Sequence, residues 1–380
     1  MLEHIDTGKA SIIHWLFPSS PSEDISIYKH YIIPYIAIAL ATYGGMLITA
    51  VLSPLSIYTR SQAIKIPFLL DANIVWMFLW LLQLVVIFLV TERIMIPSGL
   101  GKIKEAGVFT ITDDAANRLK SSWEKRYKFA NILGQAIGFV VGIIVCLINY
   151  ATFTQIGMAS WQAANGHANL SGWYFLVCMF FFVFALTVLV VRNFATILFL
   201  TDIVRNSVIQ IIPFHPDKCG GLNPVGLLGL RNQYLLSSVG INIILLFGNA
   251  TILDSNIKLQ VQVIASFIIY IILGPISFLG PLLPFRNAMQ KDKSRLMKLV
   301  ANRIKKDFNR IIKLIDEGKM TKEDNELLTR YKNIGELIEK LPVWPFDIAT
   351  LTKFITAYIT PFLAMLISLV LPEIIKFYLP

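Results

Sequence analysis

Residues 173–191 read WYFLVCMFFFVFALTVLVV, a run without charge, glycine or proline. A helix needs about 20 apolar residues to cross the hydrocarbon of a bilayer, where each backbone amide must be satisfied within the segment. Working outward from this run, six more stretches qualify: 31–53, 73–92, 130–150, 232–253, 260–283 and 350–371. They lack the period-two alternation of an outer-membrane barrel strand. Hydrophobic residues fill 55% of the 380 positions and mean hydropathy is +0.64, too apolar for an ordinary soluble globular chain. The expected fold class is an all-α integral membrane protein with seven transmembrane helices and a cytoplasmic helical hairpin.

Basic residues set the expected orientation. With a cytoplasmic N-terminus, the inner segments 1–30, 93–128, 192–231 and 285–349 carry 29 of the 34 Lys and Arg residues, and the outer segments carry 4. Positive charge concentrates on the cytoplasmic side of membrane proteins. The expectation is an inner (plasma) membrane location with the C-terminus outside. The net charge of +10 then reflects topology and contact with anionic lipid headgroups. Nucleic acid is not an expected partner, because no platform of interleaved aromatic and basic residues is present. Residues 8–20 (GKASIIHWLFPSS) hold only a short apolar run, so an interfacial anchor is expected there rather than a cleavable signal peptide.

Four parts follow: a cytoplasmic segment 1–30, a six-helix region 31–284, the hairpin 285–349 and a last transmembrane helix in 350–380. Within the hairpin, Leu296, Val300, Ile304, Phe308, Ile311 and Ile315 recur at helical spacing up to Gly318. Thr321 and Asp324 predict a capping box for the second helix. Asp347 is placed to cap the final one, with Trp344 and Phe346 at the interface. Further upstream, Thr112 precedes a helix expected to reach Tyr150, whose Gly134, Gly138 and Gly142 admit a close neighbour. Span two is expected to close at Glu92-Arg93 before a Pro97/Gly99/Gly101 turn. The helix holding residues 173–191 is expected to continue to Ile212, about 60 Å if straight. Pro275 and Pro281 should free backbone carbonyls in span six. Glu92, Arg192 and Lys353 fall near span ends, where long side chains snorkel.

The spans carry no carboxylate near their middles, which disfavours a proton-coupled carrier. They carry neutral polar rows instead. Thr352, Thr356 and Thr360 share one line of the last helix, and Ser238, Asn242 and Asn249 share a face of span five; these six are the pore-lining candidates. Asn131, Gln135 and Asn149 mark span three. The leading function is a homo-oligomeric ion channel or passive transport pathway with the last helix near the pore, needing no cofactor or metal. In size, span number and inside N-terminus the chain is similar to the insect odorant and gustatory receptor channels, whose last helix lines a tetramer's pore.

One stretch concentrates reactive side chains: PFHPDKCGGLNPVG, residues 213–226. Its HPDK resembles the J-domain signature, but it leads into a membrane span, which excludes that role. His215, Asp217, Lys218 and Cys219 are the ligand-binding candidates. Zinc wants about four ligands and finds at most three here. As structure, the stretch parses as a turn built on Gly220 and Gly221. The alternatives to a channel are a membrane-embedded enzyme using His215, Asp217 and Cys219 on a lipid-linked substrate, and a sensor or scaffold that binds a partner through 285–349. Cys146, Cys178 and Cys219 are expected as reduced thiols.

Overall fold

The structure, a computed structural model, describes residues 35–52, 67–154, 161–164, 166–212, 215–252, 257–317 and 321–378. The expected anchor in 1–30, Gly318 and the side chains of Glu92 and Asn249 lie outside the described residues. The chain is all-α. Helix α1 is Tyr35–Leu52; α2 (Ala72–Trp76) passes through a π-helical turn into α3 (Leu82–Glu105). Then come α4 (Asp113–Phe153), α5 (Leu170–Arg205), α6 (Asn223–Ile252), α7 (Ile257–Leu279), α8 (Leu283–Asp316), α9 (Lys322–Glu339) and α10 (Ile348–Tyr378). Among the described residues four helices are long and apolar enough to cross a membrane, five if the bent pair α7 and α8 is counted as one span. Large apolar side chains such as Phe129, Phe139, Val140 and Leu147 on α4 are more than half exposed. A bilayer is the solvent that tolerates such a surface.

The tightest pair is α4 against α5, and the glycine row explains it. A Cβ on Gly138 would come 3.1 Å from the Phe184 carbonyl oxygen, and one on Gly142 2.8 Å from the Phe180 ring. Asp71 caps α2 by accepting from the Ile74 amide at 3.3 Å and takes the Trp161 indole N–H at 3.0 Å. Trp161 is buried among Phe68 and Phe175, so one carboxylate ties the 161–164 segment to α2. Two π-helical turns, Leu40–Gly44 and Met77–Leu81, break the regular ladder. Tyr174 donates its hydroxyl to the Ala41 carbonyl and Gln83 its amide to the Phe78 carbonyl. Side chains thus take up carbonyls that widened turns expose.

Proline acts the same way in α7. Pro275 cannot donate to the carbonyl of Ile271. Tyr358 of α10 donates its hydroxyl there at 3.0 Å, while Tyr270 donates to the Tyr358 carbonyl at 3.0 Å. Gly274 makes the approach possible, because a Cβ there would overlap the Tyr358 ring. The freed carbonyl is therefore a helix–helix lock. Pro281 lies between α7 and α8, whose axes differ by 43°.

Helices α8 and α9 lie antiparallel. Lys293 donates to the carbonyls of Glu339 (2.6 Å) and Leu341 (3.1 Å), and Arg310 pairs with Asp324 at 3.2 Å. Tyr331 donates to Asp307. The Thr321–Asp324 capping box is formed in both directions, and Asp347 accepts from the Thr350 amide at 2.9 Å to cap α10.

Three expectations are corrected. No turn forms at Pro97, Gly99 and Gly101: α3 continues to Glu105, because Leu100 and Ile103 are buried in the core at its far end and outweigh poor helix propensity. The turn falls at Gly107, whose φ is +72°. The long helix stops at Arg205 rather than Ile212. Val208–Ile209 instead forms a short strand (β4) antiparallel to Phe109–Thr110 (β1), with Phe109 opposite Ile209. The only other strands among the described residues are Ala163–Ala164 (β2) and His167–Ala168 (β3), paired with each other. Arg192 does not snorkel. It is 2% exposed, its Nε donates to the Tyr127 hydroxyl at 3.0 Å, and its guanidinium lies over the Tyr127 ring.

If the Tyr358 lock holds α7 to α10, Tyr358→Phe should cost about 1 kcal/mol, the size of an interhelical hydrogen bond in a membrane protein. Gly274→Val should cost more, through overlap with the ring. Unfolding of the detergent-solubilised variants checks both, and equal stability of Gly274→Val and wild type would contradict the lock.

Candidate functional site

The threonine row is on the surface of the described chain. α10 meets α6 through the Ser237 bond to the Ala357 carbonyl, and against α7 its Tyr358 and Phe354 stack with Tyr270 and Phe278 while Phe362 meets Phe267 edge to face. Thr352, Thr356 and Thr360 are exposed on the same helix, beside exposed Ile355 and Ile359. Thr352 donates to the Ile348 carbonyl at 2.9 Å and Thr360 to the Thr356 carbonyl at 2.6 Å. Such back-bonding satisfies the hydroxyl proton and leaves the oxygen lone pairs facing outward.

Ser238 and Asn242 sit elsewhere, on the face of α6 turned toward α2. The Ser238 carbonyl accepts the Trp76 indole N–H at 3.0 Å. Ser238 Oγ and Asn242 Oδ1 are buried with no hydrogen-bond partner among the described residues, as are Gln83 Oε1 and Gln233 Oε1. The structure therefore does not bring the α6 row and the α10 row together. Ser237, not singled out from sequence, bridges the two helices by donating to the Ala357 carbonyl at 2.7 Å.

A polar belt missed by sequence reasoning surrounds a cavity of about 80 Å³ between α3, α5, α6 and α7. Arg231 donates to Thr91 and to the Phe88 carbonyl (3.3 Å), and its guanidinium lies 4.2 Å from the Phe88 ring centroid. Asn232 donates to Asn193 at 2.9 Å. Thr196 and Ser277, both nearly buried, complete the polar lining. The space admits several waters. The available signal was the juxtaposed Arg231-Asn232-Gln233 at the start of span five, where charge counting assigns Arg231 to the preceding inner segment.

The reactive stretch has a defined geometry. One oxygen of Asp217 accepts from the amides of Cys219 (2.9 Å) and Gly221 (3.0 Å), the other from Asn223 (3.1 Å) at the first turn of α6. His215 Nδ1 lies 2.7 Å from the same carboxylate. The amides that an external anion would use are occupied by the chain's own carboxylate. Burial alone would raise the Asp217 carboxyl. The amides of Gly221, Cys219 and Asn223, with His215, outweigh burial and hold it below its ordinary value. Lys218 is exposed with φ +56°, while Gly220 and Gly221 have φ of +66° and +90°. A Cβ on Gly221 would overlap Val108. Cys219 is fully buried, and burial, with the charges of Asp217 and Asp347, pushes its thiol up to about 12. A thiol so raised is a poor nucleophile.

Comparison of the chain with protein-family models, curated proteins and solved structures returned no match. The class defined by the fold is an all-α protein whose apolar helices suit a membrane.

Asp217 contributes through a lowered carboxyl, so its contribution is present at neutral pH and is lost as pH falls through that lowered value. Asp217→Ala should destabilise by about 2 kcal/mol at pH 7, the cost of leaving buried amides without an acceptor. The difference from wild type should vanish as pH drops well below 3.8, the ordinary carboxyl value. Cys219→Ala and His215→Ala should each cost less. Unfolding measured against pH checks the ordering.

Proposed function

We propose that the protein is a homo-oligomeric membrane conduit for an ion or small polar solute, with α10 lining the path shared by the subunits. The single observation behind this reading is the exposed row of Thr352, Thr356 and Thr360 on a helix whose opposite side is packed by aromatic rings. Outward-facing hydroxyl oxygens at helical spacing supply a ladder of weak ligands, enough to replace part of a hydration shell without trapping the solute. In this reading the chain has seven spans, with α6 and α10 among them, and sits in the inner (plasma) membrane. Its N-terminus and the α8–α9 pair are cytoplasmic, and its C-terminus is outside. The concentration of Lys and Arg in 93–128 and 285–349 supports that orientation. Anionic headgroups and other copies of the chain are the proposed partners.

A second reading, partner binding by the α8–α9 pair, is favoured by exposed Phe308, Ile312 and Ile315 on α8 and Ile334 and Leu337 on α9. Such an apolar strip on a charged hairpin suits a protein partner.

Purified protein in planar bilayers should carry current or solute flux, and Thr356→Trp should reduce it at least about tenfold, by filling the path, with assembly unchanged. Large apolar residues tolerated at Thr352, Thr356 and Thr360 with unchanged flux would remove the reading. For orientation, a cysteine introduced at exposed Lys313 should resist membrane-impermeant labelling in intact cells, and one near Leu379 should react. The reverse pattern would invert the topology.

A further inference from the structure

A groove of about 1250 Å³ runs between the C-terminal turns of α5 and the first half of α8, floored by β4. It lies apart from the threonine row and from the Asp217 turn. One end is basic. Lys291, Arg295 and Lys298 project from one face of α8 at spacings of four and three, and Arg205 faces them from α5. Among the described residues the only carboxylate lining the groove, Asp292, is 6% exposed and already committed: it pairs with Arg295 at 2.7 Å and accepts the Ile211 amide at 2.9 Å. Among the described residues no ion pair engages Arg205, Lys291 or Lys298. Four cations thus share a walled space with one neutralised acid.

The opposite end is apolar. Ile197, Leu283 and Pro284 line it where α7 bends into α8. Phe194 and Leu198, 44% and 62% exposed, extend the apolar surface along α5. Lys291 lies two turns beyond Leu283, about 12 Å along the helix axis. The headgroup layer of one leaflet is roughly 5–8 Å thick, and a lysine side chain reaches several ångströms. With Leu283 at the hydrocarbon edge, Lys291 therefore reaches back to headgroup depth, while Arg295 and Lys298, about 18 and 22 Å along the axis, face the headgroup from its aqueous side.

We propose that this groove binds an anionic phospholipid. Lys291, Arg295, Lys298 and Arg205 hold the phosphate, and the acyl chains leave over Leu283 and Ile197. Thr201, Ser207, Asn287 and Ser294 offer hydrogen bonds to headgroup hydroxyls. A scatter of surface lysines would attract any anionic membrane without selecting a headgroup. The walls and the apolar exit distinguish this groove from such a scatter. The inference rests on the membrane placement of α5 and α7 and not on the pore. The protein's need for detergent tests that placement separately.

The test is native mass spectrometry of the full chain in detergent, titrated with dioctanoyl phosphatidylglycerol, dioctanoyl phosphatidylcholine or inorganic phosphate. One phosphatidylglycerol should bind per chain at concentrations where phosphatidylcholine does not, and added salt should weaken it. Lys291→Gln with Lys298→Gln should lower the affinity about thirty-fold, the combined effect of two cations at a lipid surface. Both positions are exposed, so the core is untouched. Lys305→Gln with Lys313→Gln removes equal charge from α8 outside the groove and should change affinity less than about twofold, as neutral surface substitutions do. Equal losses in the two double variants would overturn the site in favour of diffuse attraction. Equal binding of phosphatidylcholine, absence of a salt effect, or displacement of the lipid by inorganic phosphate at matching concentration would each overturn it as well.

Discussion

In hydrocarbon an unpaired backbone carbonyl has no water to turn to, and that constraint organises much of this structure. At the two π-helical turns and at Pro275, a side chain from a neighbour or from the next turn takes the exposed oxygen. Tyr174 serves Ala41, Gln83 serves Phe78 and Tyr358 serves Ile271. Two of these three bonds join different helices. The irregularities therefore fix which helices are neighbours, and through Tyr358 they fix the face that α10 turns outward. Thr352, Thr356 and Thr360 are exposed because the aromatic side of α10 is committed to α7 and α6.

The charged end of the molecule is built by a second kind of pairing, in which carboxylates take amides from loops. Asp217 gathers three amides ahead of α6, and Asp292 of α8 takes the amide of Ile211 just beyond β4. Each bond fixes a turn that would otherwise carry unsatisfied donors beside a packed core. Leu222 and Val225, almost completely buried next to the Asp217 turn, show how close that core lies. Cys219 is caught in the same packing, which explains a fully buried thiol in a stretch that looked reactive on paper. Arg205, Lys291 and Lys298, which face the groove between α5 and α8, make no ion pair among the described residues.

Local signals in the sequence were legible. The Gly134–Gly138–Gly142 spacing, the Thr321–Asp324 box and the Asp347 cap all depend on residues within a few positions of one another, and each appears in the structure; of the seven apolar runs, four or five fall, among the described residues, in helices long and apolar enough to cross a membrane. Distant partners were not legible. The persistence of α3 past Pro97 depends on burial of Leu100 and Ile103 against residues more than a hundred positions away. The end of α5 at Arg205 depends on β4 pairing with β1 across the chain. Arg192 is buried because Tyr127, on another helix, meets it. Of the candidate residues, sequence periodicity identified the α10 row, but could not say that Ser238 and Asn242 belong to the inside of the bundle. The Arg231–Asn232–Asn193 belt escaped because charge counting assigns Arg231 to the inner segment before span five.

The central claim is that the exposed face of α10 meets water inside an assembly of several chains, and not lipid. The most direct measurement is the chemical modification of Thr356→Cys in the reconstituted protein, comparing a small water-soluble, membrane-impermeant thiol reagent with a lipid-soluble maleimide. The account predicts rapid reaction with the aqueous reagent, slowed when exposed Ile348 of the same helix is replaced by a bulky residue that narrows the approach. Reaction with the lipid-soluble maleimide alone would place Thr356 against acyl chains and contradict the account.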